Sequence, residues 1–284
     1  MVTIKLTKMQ GCGNDFVIID YSEYQKTAMP MDELAKKVCD RHFGVGADGM
    51  IIPNLNGVQA EGDSQKADIG WYFYNSDGSI AQMCGNGMRC FAKYVYDKGL
   101  VNKKEFSVMT GAGIIKPKIL DDGNVRVDMG IPVLEDAKIP FKGERKLKAL
   151  DREFDITPVS MGNPHCVIIG EDDPMEIALK YGPIIEKHEY FPEKTNTEFV
   201  KIISGTEIDM RVYERGCGIT LACGTGACAS VVACVLNNLT EQTVKVNLLG
   251  GPVFVEWQGS PAEPAKNIFL IGPANYSFTA EYML

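Results

Sequence analysis

Two cysteines each begin a short glycine-rich segment, and their spacing suggests acid–base chemistry at carbon. Cys84 opens the sequence CGNG and Cys223 opens the sequence CGTG; the residue numbers 84 and 223 differ by 139. An apolar run that predicts a helix follows each of them, over residues 88–96 and 227–236. The start of a helix carries N–H groups without helical partners and a partial positive charge, which predicts a lowered pKa and an available thiolate.

The same helix starts could hold a substrate carboxylate. Helix N-termini bind anions through backbone N–H groups, and Gly85, Gly87, Gly224 and Gly226 let the backbone approach a ligand without an intervening Cβ. If two such sites held one carboxylate, the adjacent Cα–H would lie between two sulfur atoms. One thiolate would remove the proton and the other thiol would protonate the opposite face, which inverts the configuration in either direction.

The surroundings of the two cysteines also repeat, which indicates a duplicated unit. Asn75 lies nine residues before Cys84, and Glu214 lies nine residues before Cys223. A second echo relates the Gly-Asn pairs at residues 13–14 and 162–163, whose numbers differ by 149, and a polar loop at residues 54–66 would account for the different offset. We therefore predict two domains, residues 1–129 and 130–272, with residues 273–284 returning to the first.

Most predicted elements are short strands rich in β-branched and aromatic residues, bounded by Gly, Asn, Asp or Pro. Residues 32–40 add one further predicted helix. The run over residues 227–236 is apolar nearly all round, which is typical of a helix buried on every side. We therefore predict an α+β fold of two pseudo-symmetric domains, each a strongly curved, mostly antiparallel β-sheet or barrel around a central helix.

Composition excludes several classes of partner. The chain has 29 Lys and Arg against 37 Asp and Glu, a net charge of −8, and its basic residues are not clustered, which argues against nucleic acid and anionic membranes. No apolar run reaches the length of about 18 residues needed to span a membrane. We expect a soluble cytoplasmic protein with a hydrophobic core.

Other interpretations of the cysteines explain less. Four of the nine cysteines, Cys39, Cys166, Cys228 and Cys234, fall in apolar runs and are expected to be buried. The absence of a C-x-x-C motif disfavours structural zinc, and neither glycine motif continues as a phosphate-binding loop. A nucleophilic pair of one cysteine with His165 is chemically possible, but it leaves the second cysteine unexplained.

The chain resembles the diaminopimelate epimerases over nearly its whole length. The resemblance rests on the segments GCGNDF (residues 11–16), RHFGVGADG (41–49), NSDGS (75–79), CGNGMRCF (84–91), SMGNPHC (160–166), FPEKTNTEF (191–199), RVYERG (211–216) and ACGTGA (222–227). It implies interconversion of L,L- and meso-diaminopimelate on the route to lysine and peptidoglycan. It also implies a homodimer that uses two cysteines and neither pyridoxal phosphate nor metal.

The resemblance assigns roles to thirteen residues of this sequence. The implied base and acid are Cys84 and Cys223. The residues implied to hold the reacting carboxylate through backbone N–H groups are Gly85, Asn86, Gly224 and Thr225. Those implied near the reacting amine are Asn14 and Glu214. Those implied to hold the distal amino-acid end of the substrate are Asn75, Asn163, Asn196 and Arg215, and the residue implied to support the cysteine pair is His165.

The distal set favours a substrate with a second amino-acid head, because arginine matches a carboxylate and the asparagines offer neutral donors and acceptors. Three positions depart from the family pattern: Gly49, Cys12 and Ile219, and they bear on substrate preference. A racemase or epimerase of histidine or lanthionine on the same scaffold remains an alternative. A thiol redox or amino-acid-binding protein without turnover is a more distant one.

Overall fold

The computed structural model describes residues 2–55 and 67–284, which fall into two compact units. The first unit comprises Met1–Val127 with Gly272–Leu284, and the second comprises Asp128–Ile271. Most of the predicted polar loop at residues 54–66 lies outside the described residues. Asn54 does not belong to a loop, since it ends a strand and is buried.

The described residues form nineteen strands, five α-helices and one short 3-10 helix. The strands, in chain order, are β1 (Thr3–Gly11), β2 (Asn14–Ile18), β3 (Gly49–Asn54), β4 (Ile69–Asn75), β5 (Val108–Thr110), β6 (Gly113–Ile115), β7 (Pro117–Ile119), β8 (Val125–Asp128), β9 (Lys146–Ala149), β10 (Arg152–Asp155), β11 (Thr157–Ser160), β12 (Pro164–Ile169), β13 (Asn196–Ser204), β14 (Glu207–Glu214), β15 (Gly218–Ile219), β16 (Thr243–Leu248), β17 (Gly251–Trp257), β18 (Ile268–Gly272) and β19 (Asn275–Met283). The helices are α1 (Tyr21–Tyr24), α2 (Met31–Cys39), α3 (Gly85–Asp97), α4 (Pro174–Ile185) and α5 (Gly224–Leu236), and the 3-10 helix is Asp136–Lys138.

The first unit contains a sheet in the order β19-β1-β2-β3-β4-β5-β6. The pairs β2–β3 and β4–β5 are parallel, and the other neighbours are antiparallel. Helix α3 packs against β1, β2, β3 and β7. The last strand of the chain thus completes a sheet that begins with the first strand, and Thr3 lies opposite Met283.

The second unit contains strands in the order β11-β12-β13-β14-β16-β17-β18. Here β12–β13 and β14–β16 are the parallel pairs, and the other neighbours are antiparallel. Helix α5 contacts β11, β12, β13, β14 and β17. One helix can touch strands near both ends of this sheet only because the sheet curves around it.

Both units repeat one topology. In sheet order from β1 and from β11, six neighbouring strands are joined by antiparallel, parallel, antiparallel, parallel and antiparallel pairings. In each unit the central helix lies in the chain between the fourth and the fifth of these strands, and the short strand β15, which pairs with β14, is an addition in the second unit. This identity confirms the predicted α+β fold of two pseudo-symmetric halves.

The two central helices are buried as their sequences predict. Every residue of α5 from Gly226 to Val235 is buried, because a helix of Ala, Cys and Val has no polar face to turn toward water. Both helices start three residues before the predicted apolar runs. Cys84 and Cys223 are their N-caps, so the glycine motifs form the first turns.

Helix α4 was not predicted. Pro174, Gly182 and Pro183 interrupt its sequence, yet Pro174 occupies the first turn, where proline is tolerated, and Asp173 caps it by accepting from the N–H groups of Met175 and Glu176. Gly182 permits close packing, since a Cβ there would lie 2.6 Å from Cβ of Tyr213.

None of the helices within residues 2–55 and 67–284 has both the length and the apolar composition of a membrane span.

Candidate active site

Cys84 occupies the N-cap of α3 in an extended conformation, with φ −147° and ψ 121°. Its Sγ accepts a hydrogen bond from the backbone N–H of Gly87 at 3.4 Å. At the N-cap, the sulfur atom accepts a hydrogen bond from one of the N–H groups that have no partner within the helix. The residue is partly exposed.

Asn14, which the resemblance places near the reacting amine, lies beside Cys84. Its Oδ1 accepts from the Cys84 thiol at 3.5 Å and from Nδ2 of Asn86 at 3.1 Å, while its own Nδ2 donates to Asp48 at 2.6 Å. The first unit therefore brings together three predicted site residues, namely Cys84, Asn14 and Asn86.

A network of charged side chains holds Asp48, the residue to which Asn14 donates. Arg41 bridges Asp15 and Asp48 at 2.7 Å each, and Lys8 pairs with Asp15 at 2.6 Å. Burial alone would raise the pKa of Asp15, but hydrogen bonds from Arg41 and Lys8 outweigh burial and lower that pKa below its ordinary value. The network keeps Asp48 in place as an acceptor for Asn14.

Arg89 is a site residue that the sequence analysis missed. Its side chain is fully buried, donates to Asn86 Oδ1 at 2.9 Å and to the backbone oxygen of Pro273 at 3.1 Å, and reaches Sγ of Cys12 at 3.8 Å. The signal was present in the sequence, since Arg89 interrupts the apolar face of a predicted central helix. Cys12 is buried, and burial raises the pKa of its thiol despite the nearby guanidinium.

Asn75 ends β4 at an exposed position. Its side chain donates a hydrogen bond to Ser79 Oγ at 2.9 Å, and this bond does not connect it to Cys84, Asn14 or Asn86. It lies opposite Gly49 in the sheet. A Cβ at Gly49 would lie 2.8 Å from both the Phe73 ring and the Tyr74 carbonyl oxygen. Glycine at this departure from the family pattern is therefore required by packing.

Cys223 occupies the N-cap of α5, with φ −118° and ψ 107°. Its Sγ accepts from the N–H of Gly226 at 3.3 Å and lies 3.5 Å from the hydroxyl of Thr225. The side chain is only 6% exposed. A Cβ at Gly226 would lie 3.2 Å from this sulfur and 2.7 Å from Oε1 of Glu198, so glycine is required here.

The expectation of a lowered pKa is wrong for Cys223. Burial raises the pKa of its thiol well above the usual value, and the carboxylates of Glu214 and Glu198 raise it further. Hydrogen bonds from Thr225 and from the Gly226 N–H act in the opposite direction but do not prevail. The surroundings of Cys223 in the free protein therefore favour the thiol over the thiolate.

Glu214 lies beside Cys223, at the end of β14. Burial raises the pKa of its carboxyl group, while hydrogen bonds from Thr220 and Cys223 lower it in part. Ile219, the third departure from the family pattern, is in β15 opposite Tyr213 and packs against an apolar cluster around α4. It supports the strand end rather than the polar part of the site.

His165 and Asn163 connect to the same helix start. Nδ1 of His165 lies 2.7 Å from Oε1 of Glu198, and Nε2 lies 3.1 Å from Oδ1 of Asn163. Asn163 in turn donates to Thr225 Oγ1 at 3.5 Å. Glu198 was not predicted as a site residue. A charged residue followed directly by Phe199 and Val200 in a predicted strand is nevertheless an unusual feature.

Asn196 and Arg215 form a neighbouring group at the start of β13, where Asn196 pairs with His165 of β12. The side chain of Asn196 is 4% exposed, donates to the Pro164 carbonyl oxygen at 3.0 Å and accepts from the backbone N–H of Arg215 at 3.0 Å. The guanidinium of Arg215 is exposed and donates to the carbonyl oxygen of Glu193 at 3.2 Å. Asn196 therefore fixes the backbone of Arg215 from within the protein.

Glu186 completes this group and was also missed. It is 2% exposed, and its Oε1 accepts from the N–H of Gly216 at 3.0 Å. Buried oxygen atoms thus hold two consecutive N–H groups, those of Arg215 and Gly216. Gly216 has a φ of 78°, a conformation that favours glycine.

Within the described residues, no group of three or more His, Cys, Asp and Glu side chains is arranged to bind a metal ion. All nine cysteines lie in the described part of the chain, and none of them forms a disulfide bond.

Comparison with known proteins gives one consistent family. The family model for diaminopimelate epimerase matches residues 6–135 and 157–277. A diaminopimelate epimerase of Desulforapulum autotrophicum is 47% identical, with 97% of this chain and 98% of the relative covered. One of Desulfitobacterium hafniense is 46% identical, with 97% and 96% covered.

Solved structures with the same fold are more distant in sequence. A phenazine biosynthesis protein of the PhzF family from Bacillus anthracis has a TM-score of 0.73 at 17% identity, with both chains fully covered. A hydroxyproline epimerase from Agrobacterium vitis has a TM-score of 0.68 at 13% identity, with 100% of this chain and 93% of the other covered. At these identities the similarity establishes the fold alone.

Proposed function

We propose that this chain, which belongs to the diaminopimelate epimerase family, interconverts L,L- and meso-2,6-diaminopimelate with two cysteines as acid and base and without a cofactor. The reaction would serve lysine and peptidoglycan precursor synthesis. One observation carries the proposal: each of two topologically identical units presents a cysteine at the N-cap of its central helix.

The first turns of the two helices offer backbone N–H groups that can bind the reacting carboxylate. Gly85 and Asn86 follow Cys84, and Gly224 and Thr225 follow Cys223, so their backbone N–H groups belong to helix N-termini, where anions bind. Negative charge grows on the carboxylate as the Cα–H bond breaks, and donors already in place stabilise that charge without reorganising.

The chemistry requires one thiolate and one thiol. The thiolate takes the α-proton, the electron pair of the Cα–H bond passes to the α-carbon and its carboxylate, and the thiol delivers its proton to the opposite face. Because the second cysteine ends as thiolate, the reverse reaction uses the same groups with exchanged roles. The raised pKa of Cys223 supports a resting state in which this residue carries the proton.

The polar residues near the helix starts support recognition of an amino-acid head. Asn14 and Glu214 each contact a cysteine and are proposed to bind the reacting amine, with His165 as support. Arg215, with Asn75, Asn163 and Asn196, is proposed to hold the distal amino and carboxyl groups. A site built for those bonds would reject a substrate that lacks them, since its polar groups would lose their partners.

We further propose a cytoplasmic homodimer. Nine cysteines without a disulfide bond among them fit a reducing compartment. Strand β19 lies at the end of its sheet and exposes Tyr276, Phe278 and Met283, with exposed fractions of 41%, 47% and 68%. An exposed edge strand with apolar side chains tends to pair with another chain, and a second copy is the partner that family membership favours.

Proton NMR of L,L-diaminopimelate in D2O with the reduced protein and no added cofactor, together with chiral chromatography, tests the proposal. The expected result is loss of the α-proton signal and appearance of the meso isomer. Tight binding by calorimetry without exchange would instead indicate an amino-acid-binding protein. Neither binding nor exchange would reject this substrate and lead to tests of histidine and lanthionine.

A further inference from the structure

His165 and Glu198 form a fully buried pair next to the Cys223 helix start. Both side chains are 0% exposed, and the Nδ1–Oε1 distance is 2.7 Å. Since a carboxylate can only accept, Nδ1–H of His165 donates to it. Among the residues that the structure describes, the second oxygen, Oε2 of Glu198, has no hydrogen-bond partner. Negative charge on a buried carboxylate whose second oxygen has no donor acts strongly on neighbouring groups, because the surroundings have a low dielectric constant.

Close polar contacts connect this pair to the thiol. Nε2 of His165 lies 3.1 Å from Oδ1 of Asn163, and Nδ2 of Asn163 donates to Oγ1 of Thr225 at 3.5 Å. Oγ1 of Thr225 in turn lies 3.5 Å from the Cys223 sulfur. A second route is direct, because Glu198 Oε1 lies under the first turn of α5, next to Gly226, whose N–H binds the sulfur. The pair is therefore coupled to Cys223 both by contacts and by electric field.

In the first unit, two apolar residues occupy the positions equivalent to His165 and Glu198. Phe16 follows Asn14 by two residues as His165 follows Asn163, and the β2–β3 and β12–β13 registers then match Ile51 with Glu198. Phe16 is 1% exposed and Ile51 is 0% exposed. The Phe16 ring lies under Gly87 of α3, in the place that the Glu198 carboxylate takes under Gly226. An apolar pair thus suffices to build the same helix start.

The charge at the two helix starts differs in sign. Arg89, whose repeat counterpart is Cys228, places a buried guanidinium in the first turns of α3. Around Cys223, the titratable side chains that face it or its neighbours within the second unit are His165 and Cys166 of β12, Glu198 of β13 and Glu214 of β14. Glu214 contacts the sulfur itself, whereas Glu198 acts from beneath the helix.

We infer that Glu198 is a positioning residue that, together with His165, keeps Cys223 in the protonated state. The negative charge under α5 opposes a second negative charge on the sulfur, and it offsets the attraction that the helix N-terminus offers a thiolate. The pair thereby distinguishes the two cysteines of a duplicated fold. That this proton is then delivered to a substrate rests on the proposed function.

Alkylation of the free enzyme tests the inference without any substrate. Iodoacetamide reacts with thiolate, so the rate at which Cys223 is modified, followed by peptide mass spectrometry over a pH series, reports its ionised fraction. In Glu198→Gln, which keeps the size of the side chain, we expect the Cys223 rate near neutral pH to rise about tenfold, the change that one pKa unit produces. A profile that superimposes on that of the wild type would overturn the inference.

Two further measurements separate this effect from structural damage. Cys228 and Cys234 are fully buried in α5 and should stay unmodified, since unfolding would expose them together with Cys223. The double variant His165→Phe/Glu198→Ile restores the apolar pair of the first unit and leaves no polar partner behind. It should show the same rise, and the absence of a rise in this folded variant would also reject the role of the pair. A rise in both variants without epimerisation by the wild type would reject the proposed function alone.

Discussion

Nη1 of Arg89 donates a 2.9 Å hydrogen bond to Oδ1 of Asn86, and this bond sets the direction of the Asn86 amide. With its oxygen turned toward Arg89, Asn86 presents Nδ2 to Asn14, which in turn contacts the Cys84 sulfur. A buried cation therefore orders the first turn of the helix on which the proposed chemistry depends.

Arg89→Lys should reduce both stability and activity. Lysine keeps the charge but lacks the planar fork that reaches Asn86 and the Pro273 carbonyl oxygen together. We expect a loss of about 2 kcal/mol in the free energy of unfolding, the usual value of a hydrogen bond to a charged group. Urea denaturation measures it, with Arg145→Lys at an exposed ion pair as the control expected to change by less than about 1 kcal/mol. Equal effects in the two variants would contradict the role of Arg89.

Cys84→Ala and Cys223→Ala should each stop epimerisation. Each removes one of the two proton-transfer groups, so we expect kcat to fall by about 10³-fold or more. The coupled loss of α-proton signal and formation of the second isomer is the measurement. Cys234→Ala, a buried cysteine near the far end of α5, is the control and should retain activity. Near-normal turnover in either site variant would reject the two-cysteine mechanism.

Arg215→Lys should weaken substrate binding more than turnover. The exposed guanidinium can meet a carboxylate with two parallel hydrogen bonds, whereas lysine offers a point charge. We expect KM to rise about tenfold with a smaller change in kcat, the pattern of a group that binds ground state and transition state alike. Steady-state kinetics and calorimetry decide it, and Arg152→Lys, on the surface in a pair with Asp172, should behave as wild type. A fall in kcat at constant KM would place Arg215 in the chemical step instead.

Gly226→Ala should lower the stability of the protein, whereas most glycine-to-alanine changes in helices do not. The new methyl group would lie 2.7 Å from Glu198 Oε1 and 3.2 Å from the Cys223 sulfur, so one of them must move. Overpacking of this kind costs about 1–3 kcal/mol. Gly170→Ala, where nothing lies within 4 Å of the added carbon, is the matched control. Equal thermal stability of the two variants would show that the helix start is less tightly packed than the structure indicates.

Glu214→Gln should stabilise the protein at neutral pH. The folded pKa of Glu214 is raised by burial, so its contribution to stability is present below the unfolded pKa and is lost as the pH rises through the folded pKa. Glutamine removes that loss while it retains an oxygen that accepts from Thr220. Unfolding free energies above and below this range measure the difference, which should vanish in acid.

The half-buried Glu207 provides the opposite control for that experiment. Hydrogen bonds from Asn247 and Lys245 lower its pKa, so its contribution is present above the unfolded pKa and is lost in acid. Glu207→Gln should therefore be destabilising at neutral pH. The same sign for both variants would contradict the assigned environments.

The duplicated fold was accessible from the sequence because its signals are local. Two glycine motifs, two apolar helices and alternating strands all lie in short stretches of chain. Helix α4 escaped prediction because Pro174, Gly182 and Pro183 read as helix breakers. Pro174 is accommodated by its place in the first turn, and Gly182 by a tertiary contact with Tyr213 that no local pattern reveals.

The sequence predicted site residues that lie next to the two glycine motifs better than buried residues that support these motifs from the core. Asn14 and Asn86, which the resemblance names as site residues, lie beside Cys84. Arg89, Glu186 and Glu198 act from buried positions, and only the register of the strands and the packing of the helices show what they contact. The pKa of Cys223 could not be foreseen from its N-cap position, because burial and two carboxylates outweigh the helix terminus.

Strand β19 gives the first unit a particular order of assembly. Its sheet pairs β1 with β19, so the backbone edge of β1 has no partner until residues 275–283 have left the ribosome. The second unit, by contrast, consists of one continuous stretch of chain. Synthesis from the N-terminus thus completes the second unit before the first, and the nascent first unit must wait with an open strand edge that other chains could join.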